Sequence, residues 1–264
     1  MSTSPIYSFD HGEAAMQRAV SHARNTFKFF WRELSWEYRR IVPGLGFAAV
    51  KIAFETDSRQ KDAPPVEHMW ISDIQFDGIT VSGILVNSPE WVSTVQEGDA
   101  VSAPLQEIQD WMYSLGDQAY GGFTVDVIRA GMTEAERADH DAAWGLEFGA
   151  PGSVLIAQYG NGNPPARLEQ NAQDANPDLP EHPMSENMKE KIEEALQADS
   201  SHVRFVDAEG WSMLHREALA GNHAPVMLLL KHGADPLLKT PDGRTALDLA
   251  KAMGWPRIIA ALAG

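Results

Sequence analysis

The chain has 264 residues, of which 44% are hydrophobic, and a formal net charge of −16. It contains no cysteine, which excludes disulfides, thiolate zinc sites and cysteine nucleophiles. Residues 1–160 contain 22 acidic and 11 basic residues and carry most of the negative charge. Phosphate contacts require clustered Lys and Arg, so nucleic acid is not expected as a ligand. A basic protein partner is compatible with the charge, although solubility alone explains it equally well.

The N-terminal residues Met1–Pro5 show neither the basic nor the apolar region of a secretory signal. No apolar run approaches the roughly 18 residues that a membrane span needs. We therefore expect a cytoplasmic protein with no membrane segment.

A long amphipathic helix is predicted at residues 12–39. One stripe at spacings of three and four is rich in aromatic residues and comprises Met16, Val20, Ala23, Phe27, Phe30, Trp31, Leu34 and Tyr38. The opposite face is basic and comprises Arg18, Arg24, Lys28, Arg32 and Arg39. This pattern favours a helix that packs across a sheet.

Short segments with strand character follow, and they predict an antiparallel sheet. They are Leu45–Glu55, Glu67–Phe76, Ile79–Asn87, Ala100–Ala103, 105–115 and the apolar run Phe123–Ile128. Residues 105–115 also have apolar residues at helical spacing, so a helix is the alternative there. The pair Asp77-Gly78 predicts a tight hairpin, whereas the polar residues Asp57–Pro65 predict a loop. Thr133 begins a capping box that predicts a helix ending near Trp144.

Five short motifs within this region occur in an order that resembles the YegJ-like bacterial domain of unknown function. They are Glu67-His68-Met69-Trp70, Gly83-Ile84-Leu85-Val86-Asn87-Ser88-Pro89, Gly98-Asp99-Ala100-Val101, Ile108-Gln109-Asp110-Trp111-Met112 and Gly121-Gly122-Phe123-Thr124. The resemblance covers about residues 14–130. It implies a compact α+β domain and no particular chemistry.

Residues 159–184 are rich in Asn, Pro, Gly, Asp and Gln and show no apolar periodicity. We interpret them as an irregular linker between two domains, 1–158 and 185–264. An ordered path along the N-terminal domain is the alternative.

The C-terminal domain contains one pattern twice, 33 residues apart. Gly210-Trp211-Ser212-Met213-Leu214-His215-Arg216-Glu217-Ala218 is followed by Gly243-Arg244-Thr245-Ala246-Leu247-Asp248-Leu249-Ala250. The period, together with Gly233-Ala234-Asp235-Pro236 between the copies, resembles the ankyrin repeat, which is a β-turn and two helices. The resemblance implies about two repeats over residues 186–264, preceded by a capping helix at 186–198.

Ankyrin arrays bind proteins through their hairpin tips and their concave helix face. By this resemblance, the candidate partner contacts are Trp211, Arg216, Asn222, Asp242 and Arg244. Trp211 is the strongest of them because Trp is enriched at binding hot spots, although it would equally fill an interface with the N-terminal domain. The resemblance gives His215 a structural role.

Sequence motifs for catalysis, for metal binding and for cofactor binding are absent. An N-terminal cluster of Glu67, His68, Trp70, Asp110 and Trp111 would support an enzyme only if these side chains converge in a cleft.

The sequence therefore predicts an α+β protein with an N-terminal antiparallel sheet, a long packing helix and a C-terminal helical repeat domain. The predicted function is non-enzymatic protein binding, without a metal or cofactor. The specific hypothesis is an immunity protein that neutralises a basic toxin or secreted effector. An enzyme with a site on the N-terminal sheet and an ankyrin-type regulatory scaffold are the alternatives.

Overall fold

The computed structural model describes residues 13–57, 63–158, 163–173, 177 and 179–264. The predicted absence of a signal at Met1–Pro5, the first residue of the predicted long helix, and parts of the predicted loop and linker lie outside these residues. The chain divides into two compact units. Of the described residues, the first unit contains 13–30, 40–57, 63–157, 165–173 and 177, and the second contains 31–39, 158, 163–164 and 179–264.

Helix α1, Glu13–Glu37, confirms the predicted long helix and contributes residues to both units. Its aromatic stripe is buried at Phe27, Phe30 and Trp31, whereas Tyr38 lies beyond the helix and is about half exposed, at 51%. Two members of the basic face, Lys28 and Arg32, are also buried.

The first unit is built on a six-stranded antiparallel sheet with the order β4-β3-β2-β1-β5-β6. The strands are β1 Leu45–Glu55, β2 Val66–Phe76, β3 Thr80–Leu85, β4 Ala100–Pro104, β5 Asp110–Leu115 and β6 Gln118–Gly121, and a short 3₁₀ helix spans Leu105–Glu107. The hairpin predicted at Asp77-Gly78 is confirmed, since β2 and β3 pair across it. The uncertain region 105–115 contains the predicted strand in its second half.

The two faces of the sheet carry different side chains because neighbouring residues of a strand point in opposite directions. One face carries the buried residues Val50, Ile71 and Trp111. Trp111 Nε1 donates to the Ala23 carbonyl of α1 at 2.9 Å, so the first part of this helix covers that face. The Trp111 ring also fixes Gly121, where a Cβ would lie 2.4 Å from the ring and where φ is +74°.

Helix α2, Phe123–Ala130, replaces the strand predicted at Phe123–Ile128. The apolar run is Val- and Ile-rich, but Asp110 accepts hydrogen bonds from the backbone N–H groups of Phe123 and Thr124. Those N–H groups lack partners within a helix, so a carboxylate there stabilises a helix start. Helix α3, Glu134–Trp144, begins with the capping box predicted at Thr133.

A separate two-stranded sheet closes the first unit, formed by β7, Ser153–Ala157, and β8, Ala166–Glu169. Strand β8 lies inside the predicted irregular linker. The interpretation as an irregular linker is therefore wrong for residues 166–169, which alternate buried and exposed side chains and pair with β7. The ordered alternative describes residues 166–169 correctly.

The second unit consists of helices together with residues 31–39 of the α1 region. The helices are α4 Pro183–Asn187, α5 Lys189–Ala198, α6 Met213–Ala220, α7 His223–Lys231, α8 Ala246–Met253 and α9 Pro256–Ala263, with a 3₁₀ helix at Ser200–Arg204. The helix predicted at 186–198 is divided into α4 and α5. The start of α8 follows the start of α6 by 33 residues, and α9 follows α7 by the same interval, so the period in the sequence is a period in the structure.

Candidate functional site

Each copy of the sequence repeat begins with a small turn that we call a finger. Finger 1 spans residues 206–212 and finger 2 spans residues 239–245, and each is closed by a bridge between its first and last residues. In finger 1 the Asp207 N–H donates to the Trp211 carbonyl at 2.9 Å. In finger 2 the Thr240 N–H donates to the Arg244 carbonyl at the same distance. The two fingers therefore share one backbone geometry while their side chains differ.

Trp211 lies at the centre of a cluster that joins the two fingers. The Arg216 guanidinium lies 4.6 Å from its ring centroid, and the Arg244 guanidinium lies 5.8 Å from it. These cation–π contacts cover the ring, so that Trp211 is 7% exposed. The predicted hot-spot side chain is thus a buried support for two arginines and presents little of its own surface.

Acidic side chains hold both arginines in place. Arg216 Nη2 lies 2.7 Å from Asp207 and also pairs with Glu209, and Arg244 Nη2 lies 2.5 Å from Asp242. Burial raises the pKa of Asp207, but the Trp211 N–H and the Arg216 guanidinium outweigh it and the net pKa is lowered. The hydrogen bond from Arg244 likewise lowers the pKa of Asp242. The cluster consequently stays charged at neutral pH with its two signs interleaved.

Four of the five candidate partner contacts are brought together in this cluster, namely Trp211, Arg216, Asp242 and Arg244. Its most accessible member is Glu209, which the sequence prediction did not include and whose side chain is 73% exposed. A signal for Glu209 existed, because it immediately precedes Gly210 at the tip of finger 1.

Asn222 lies elsewhere, and its proposed role as a partner contact is wrong. The residue is fully buried. Trp36 Nε1 donates to Asn222 Oδ1 at 2.9 Å, and Asn222 Nδ2 donates to Glu217 Oε2 at 2.7 Å. The other carboxylate oxygen of Glu217 lies 2.9 Å from Arg39 Nη1. Asn222 thus joins the end of α1 to α6 and has no surface to offer a partner.

His215 has local partners, as its expected structural role requires. Its Nδ1 accepts from the Ser212 N–H at 3.1 Å, and its Nε2 lies 2.8 Å from the Leu238 carbonyl. Burial lowers the pKa of His215, although the bond to Leu238 opposes that effect. At the equivalent position in the second copy, Asp248 completes the same capping box with Thr245.

The capping helix predicted at 186–198 belongs to a third, incomplete copy of the repeat, whose first part was missed within the predicted linker. Counting back 33 residues from Met213-Leu214-His215 reaches Pro180-Glu181-His182, and the same shift takes the start of α7 to residue 190 in α5. His182 Nε2 bonds to Glu33 Oε2 at 2.8 Å. Pro180 and His182 were visible in the sequence, but the polar composition around them led to the interpretation of this segment as a linker.

The five side chains of the N-terminal cluster do not converge in one cleft. His68, Trp70 and Asp110 lie on one face of the sheet, whereas Glu67 and Trp111 lie on the other. Glu67 accepts hydrogen bonds from the backbone N–H groups of Glu90 and Trp91, at 2.9 and 2.8 Å. The geometry that the enzyme hypothesis required of this set is therefore absent.

Asp110 instead belongs to a buried chain of hydrogen bonds that includes two residues missed from the sequence. Lys51 Nζ donates to Thr124 Oγ1 at 2.6 Å, and Thr124 Oγ1 donates to Asp110 Oδ2 at 2.5 Å. Burial lowers the pKa of Lys51 and raises the pKa of Asp110, and the charge of each opposes the shift of the other. With the N–H groups of Trp111, Phe123 and Thr124 also bound, Asp110 acts as a cap for α2.

Among the described residues, no group of three or more His, Cys, Asp or Glu side chains is arranged to hold a metal ion. The helices in this described part of the chain all lack the combination of length and apolar character that crossing a membrane requires.

Residues 13–148 match the family described as "Uncharacterized protein conserved in bacteria (DUF2314)". The match covers the sheet with α1, α2 and α3, and the chain belongs to this family.

Two relatives extend the comparison. A protein of Neisseria meningitidis serogroup B named "Putative ankyrin repeat protein" is 42% identical over 258 residues, which are 98% of this chain and 96% of the relative. Protein YegJ of Escherichia coli K12, named as uncharacterized, is 37% identical over 118 residues, which are 45% of this chain and 69% of the relative. The resemblance seen in the N-terminal motifs is confirmed by these matches.

Proposed function

We propose that the chain is a non-enzymatic protein-binding module whose C-terminal helices form a short ankyrin-type array. The repeated fingers support this, since α6, α7, α8 and α9 follow them with the 33-residue period. The name of the Neisseria relative, which matches along nearly the whole chain, points in the same direction. In this proposal the partner meets the fingertips.

The observation that carries the proposal is the Trp211 cluster. Its ion pairs hold Arg216 and Arg244 at defined distances from a buried ring, so a partner meets charges that are already ordered. Binding to ordered side chains costs less conformational entropy than binding to mobile ones. Glu209 and Asp242, whose side chains are 73% and 47% exposed, form the accessible rim.

The specific form of the proposal is an immunity protein that binds a basic toxin or secreted effector. The net charge of −16 supports a basic partner through long-range attraction. An ankyrin-type scaffold with several partners uses the same surface and differs in the number of proteins that bind.

Co-expression with the product of each neighbouring gene tests the immunity role. The expected result is rescue of growth from one toxic neighbour together with a purifiable complex. Failure to rescue growth, or the absence of a complex, rejects the immunity role. Several unrelated partners recovered at equal stoichiometry identify the scaffold instead.

The double variant Glu209→Lys, Asp242→Lys tests the fingertips themselves. Both side chains lie on the rim, so the variant is expected to fold while its affinity for the identified partner falls at least about tenfold. Glu194→Lys is the matched control, because Glu194 is an exposed acid on α5. Equal loss of binding in the control shows a general charge effect and rejects the fingertip site.

A further inference from the structure

The two edge strands of the six-stranded sheet, β6 and β4, differ in whether another segment of the first unit pairs with them. At the β6 edge, the Ala119 N–H donates to the Glu147 carbonyl at 3.0 Å, and the Glu147 N–H donates to the Asp117 carbonyl at 2.7 Å. Gln118 and Glu147 form a parallel bridge there. The segment after α3 thus covers this edge.

Strand β4 forms the opposite edge. The Asp99 carbonyl accepts from the Leu85 N–H at 2.9 Å, and the Leu105 N–H donates to the Ile79 carbonyl at 2.8 Å, so odd-numbered residues direct their backbone groups toward β3. Alternation along an antiparallel strand then directs the N–H and C=O groups of Ala100 and Ser102 outward. Within the described residues, no hydrogen bond to these outward groups is found.

Of the features that usually protect an edge strand, β4 has only a proline at its end. Its sequence, Ala-Val-Ser-Ala-Pro, contains no charged residue, and its register with β3 shows no bulge. The side chains of Ala100, Ser102 and Pro104 are exposed. Such an edge is a template for another strand, and only Pro104 limits its length because proline has no N–H.

The surroundings of β4 are acidic. Residues 66–107, which form β2, β3, β4 and the loops between them, contain seven Asp and Glu residues and no Lys or Arg. Glu97 and Asp99 precede the strand, and Asp77 and Glu107 lie near its other end, where Thr80 pairs with Pro104. Arg24 of α1 is close enough to Glu107 for their charges to interact. The negative charge at the Pro104 end of β4 is therefore partly neutralised, and the Ala100 end is the more negative of the two.

We propose that β4 is a docking edge for a partner's extended basic segment, which adds to the sheet as a seventh strand. Main-chain hydrogen bonds to Ala100 and Ser102 supply the pairing, and the acidic ends select Lys- and Arg-rich segments. A second copy of this chain is a poorer occupant, because antiparallel β4–β4 pairing places Glu97 and Asp99 beside the partner's Asp77 and Glu107. This surface consists of residues of the first unit, so it is independent of the proposed fingertip function.

The test uses the full chain and a synthetic peptide in which Lys alternates with Val, since a strand presents alternate side chains to opposite faces. The expected result is saturable binding that weakens as salt increases. Hydrogen exchange at the Ala100 and Ser102 amides should slow on binding. A peptide alternating Glu with Val should bind at least about tenfold more weakly.

Ser102→Pro removes one outward N–H without removing a bond to β3, and it should weaken peptide binding at least about tenfold while thermal unfolding is little changed. Ser102→Ala is the matched control and should bind as the wild type does. Glu97→Lys should weaken binding, whereas Asp139→Lys, on the exposed side of α3, should have a smaller effect.

Three outcomes overturn the proposal. They are an undetectable interaction with the Lys peptide, equal binding by Ser102→Pro and Ser102→Ala, and protection of both amides already in the free protein. If Ser102→Pro fails to fold, exchange of the Ala100 and Ser102 amides in the wild type decides the question. A dimer whose interface protects these same amides identifies a second copy as the occupant and also rejects the basic partner.

Discussion

The two copies of the repeat in the second unit have the same backbone and different side-chain partners. Position 222 in the first copy is Asn, which accepts from Trp36 and donates to Glu217. Position 255 in the second copy is Trp, whose Nε1 donates to the Leu219 carbonyl of the first copy at 3.1 Å. Equivalent positions thus make different hydrogen bonds. Asn222 joins the repeats to the end of α1, whereas Trp255 joins the two copies and also lies 5.3 Å, ring centroid to guanidinium, from Arg32 of α1. The 33-residue period determines where the helices lie, and individual side chains determine which contacts each copy makes within the protein.

Trp255→Ala should lower the free energy of unfolding more than any other substitution considered for the two copies. The ring is 6% exposed and packs where a Cβ on Gly221 would lie 2.4 Å from it. Its loss leaves a cavity and an unpartnered Leu219 carbonyl, with an expected cost of about 3–5 kcal/mol in the free energy of unfolding. Urea denaturation measures the change. Arg257→Ala, an exposed neighbour on α9, is the control and should change stability by less than about 0.5 kcal/mol.

A cost for Trp255→Ala close to that of Arg257→Ala would show that the second copy does not depend on this ring for its packing.

Asn222→Ala should have the second-largest effect. The substitution leaves the buried Trp36 Nε1 and one Glu217 oxygen without their hydrogen bonds, and the expected cost is about 1–3 kcal/mol. Thermal unfolding of the full chain measures it. Trp36→Phe removes the other partner of the same bond, so the double variant should cost less than the sum of the two single variants. Strict additivity would show that this bond contributes nothing to stability.

The third prediction concerns pH and the position that is His215 in one copy and Asp248 in the other. Burial lowers the pKa of His215 below its ordinary value of 6.5, so the unfolded chain binds this proton first as the pH falls. The free energy of unfolding should therefore decline as the pH drops below about 6.5, until the folded His215 also becomes protonated. His215→Asn should remove this part of the pH dependence.

Subtracting the variant's stability curve from that of the wild type between about pH 7.5 and 5 isolates the contribution of His215, because the other histidines are common to both. A difference that stays constant over this range would contradict the prediction. Asp248→Asn serves as a control, since an aspartate with a lowered pKa does not titrate in this range.

The smallest effects are expected at the matched capping residues Ser212 and Thr245. Each side chain accepts from the third backbone N–H of its helix, so Ser212→Ala and Thr245→Ala should each cost about 1 kcal/mol. Both side chains also bond to the third residue of their helix, Ser212 to His215 and Thr245 to Asp248. Ser212→Ala should cost slightly more because Ser212 is buried, whereas Thr245 is half-buried. Urea denaturation of both variants under one condition makes the comparison. A larger loss of stability for Thr245→Ala than for Ser212→Ala would contradict this prediction.

Local signals were sufficient to predict much of the fold. Asp77-Gly78 specifies its hairpin through a turn that few other residues adopt, and Thr133 specifies the start of α3 through bonds within one helical turn. The 33-residue period placed α6 and α8 correctly for the same reason. In each case the residues that make the structure are neighbours in the sequence.

The errors involve partners that are distant in the sequence. The Phe123–Ile128 run became a helix because Asp110, on a neighbouring strand, caps it. The burial of Arg32, on which the helical pattern made no prediction, likewise involves a distant partner, since its Nη1 donates to the Pro180 carbonyl at 3.2 Å. Asn222 looked available because Trp36, its partner 186 residues away, could not be inferred from the repeat. A pattern of apolar residues identifies a buried face, but it does not identify the polar residue that will satisfy a distant group.

The bond between Trp36 and Asn222 also has a consequence for the order of events on the ribosome. Residues 31–39 are synthesised early, and their partners at Pro180, Glu217 and Asn222 emerge only after the whole sheet has been made. The helical unit therefore cannot assemble its complete set of contacts from local chain alone, and such long sequence separations slow folding. During translation, residues 31–39 therefore lack their packing partners until the helices of the second unit have been synthesised. The later helices complete the packing of the earlier segment.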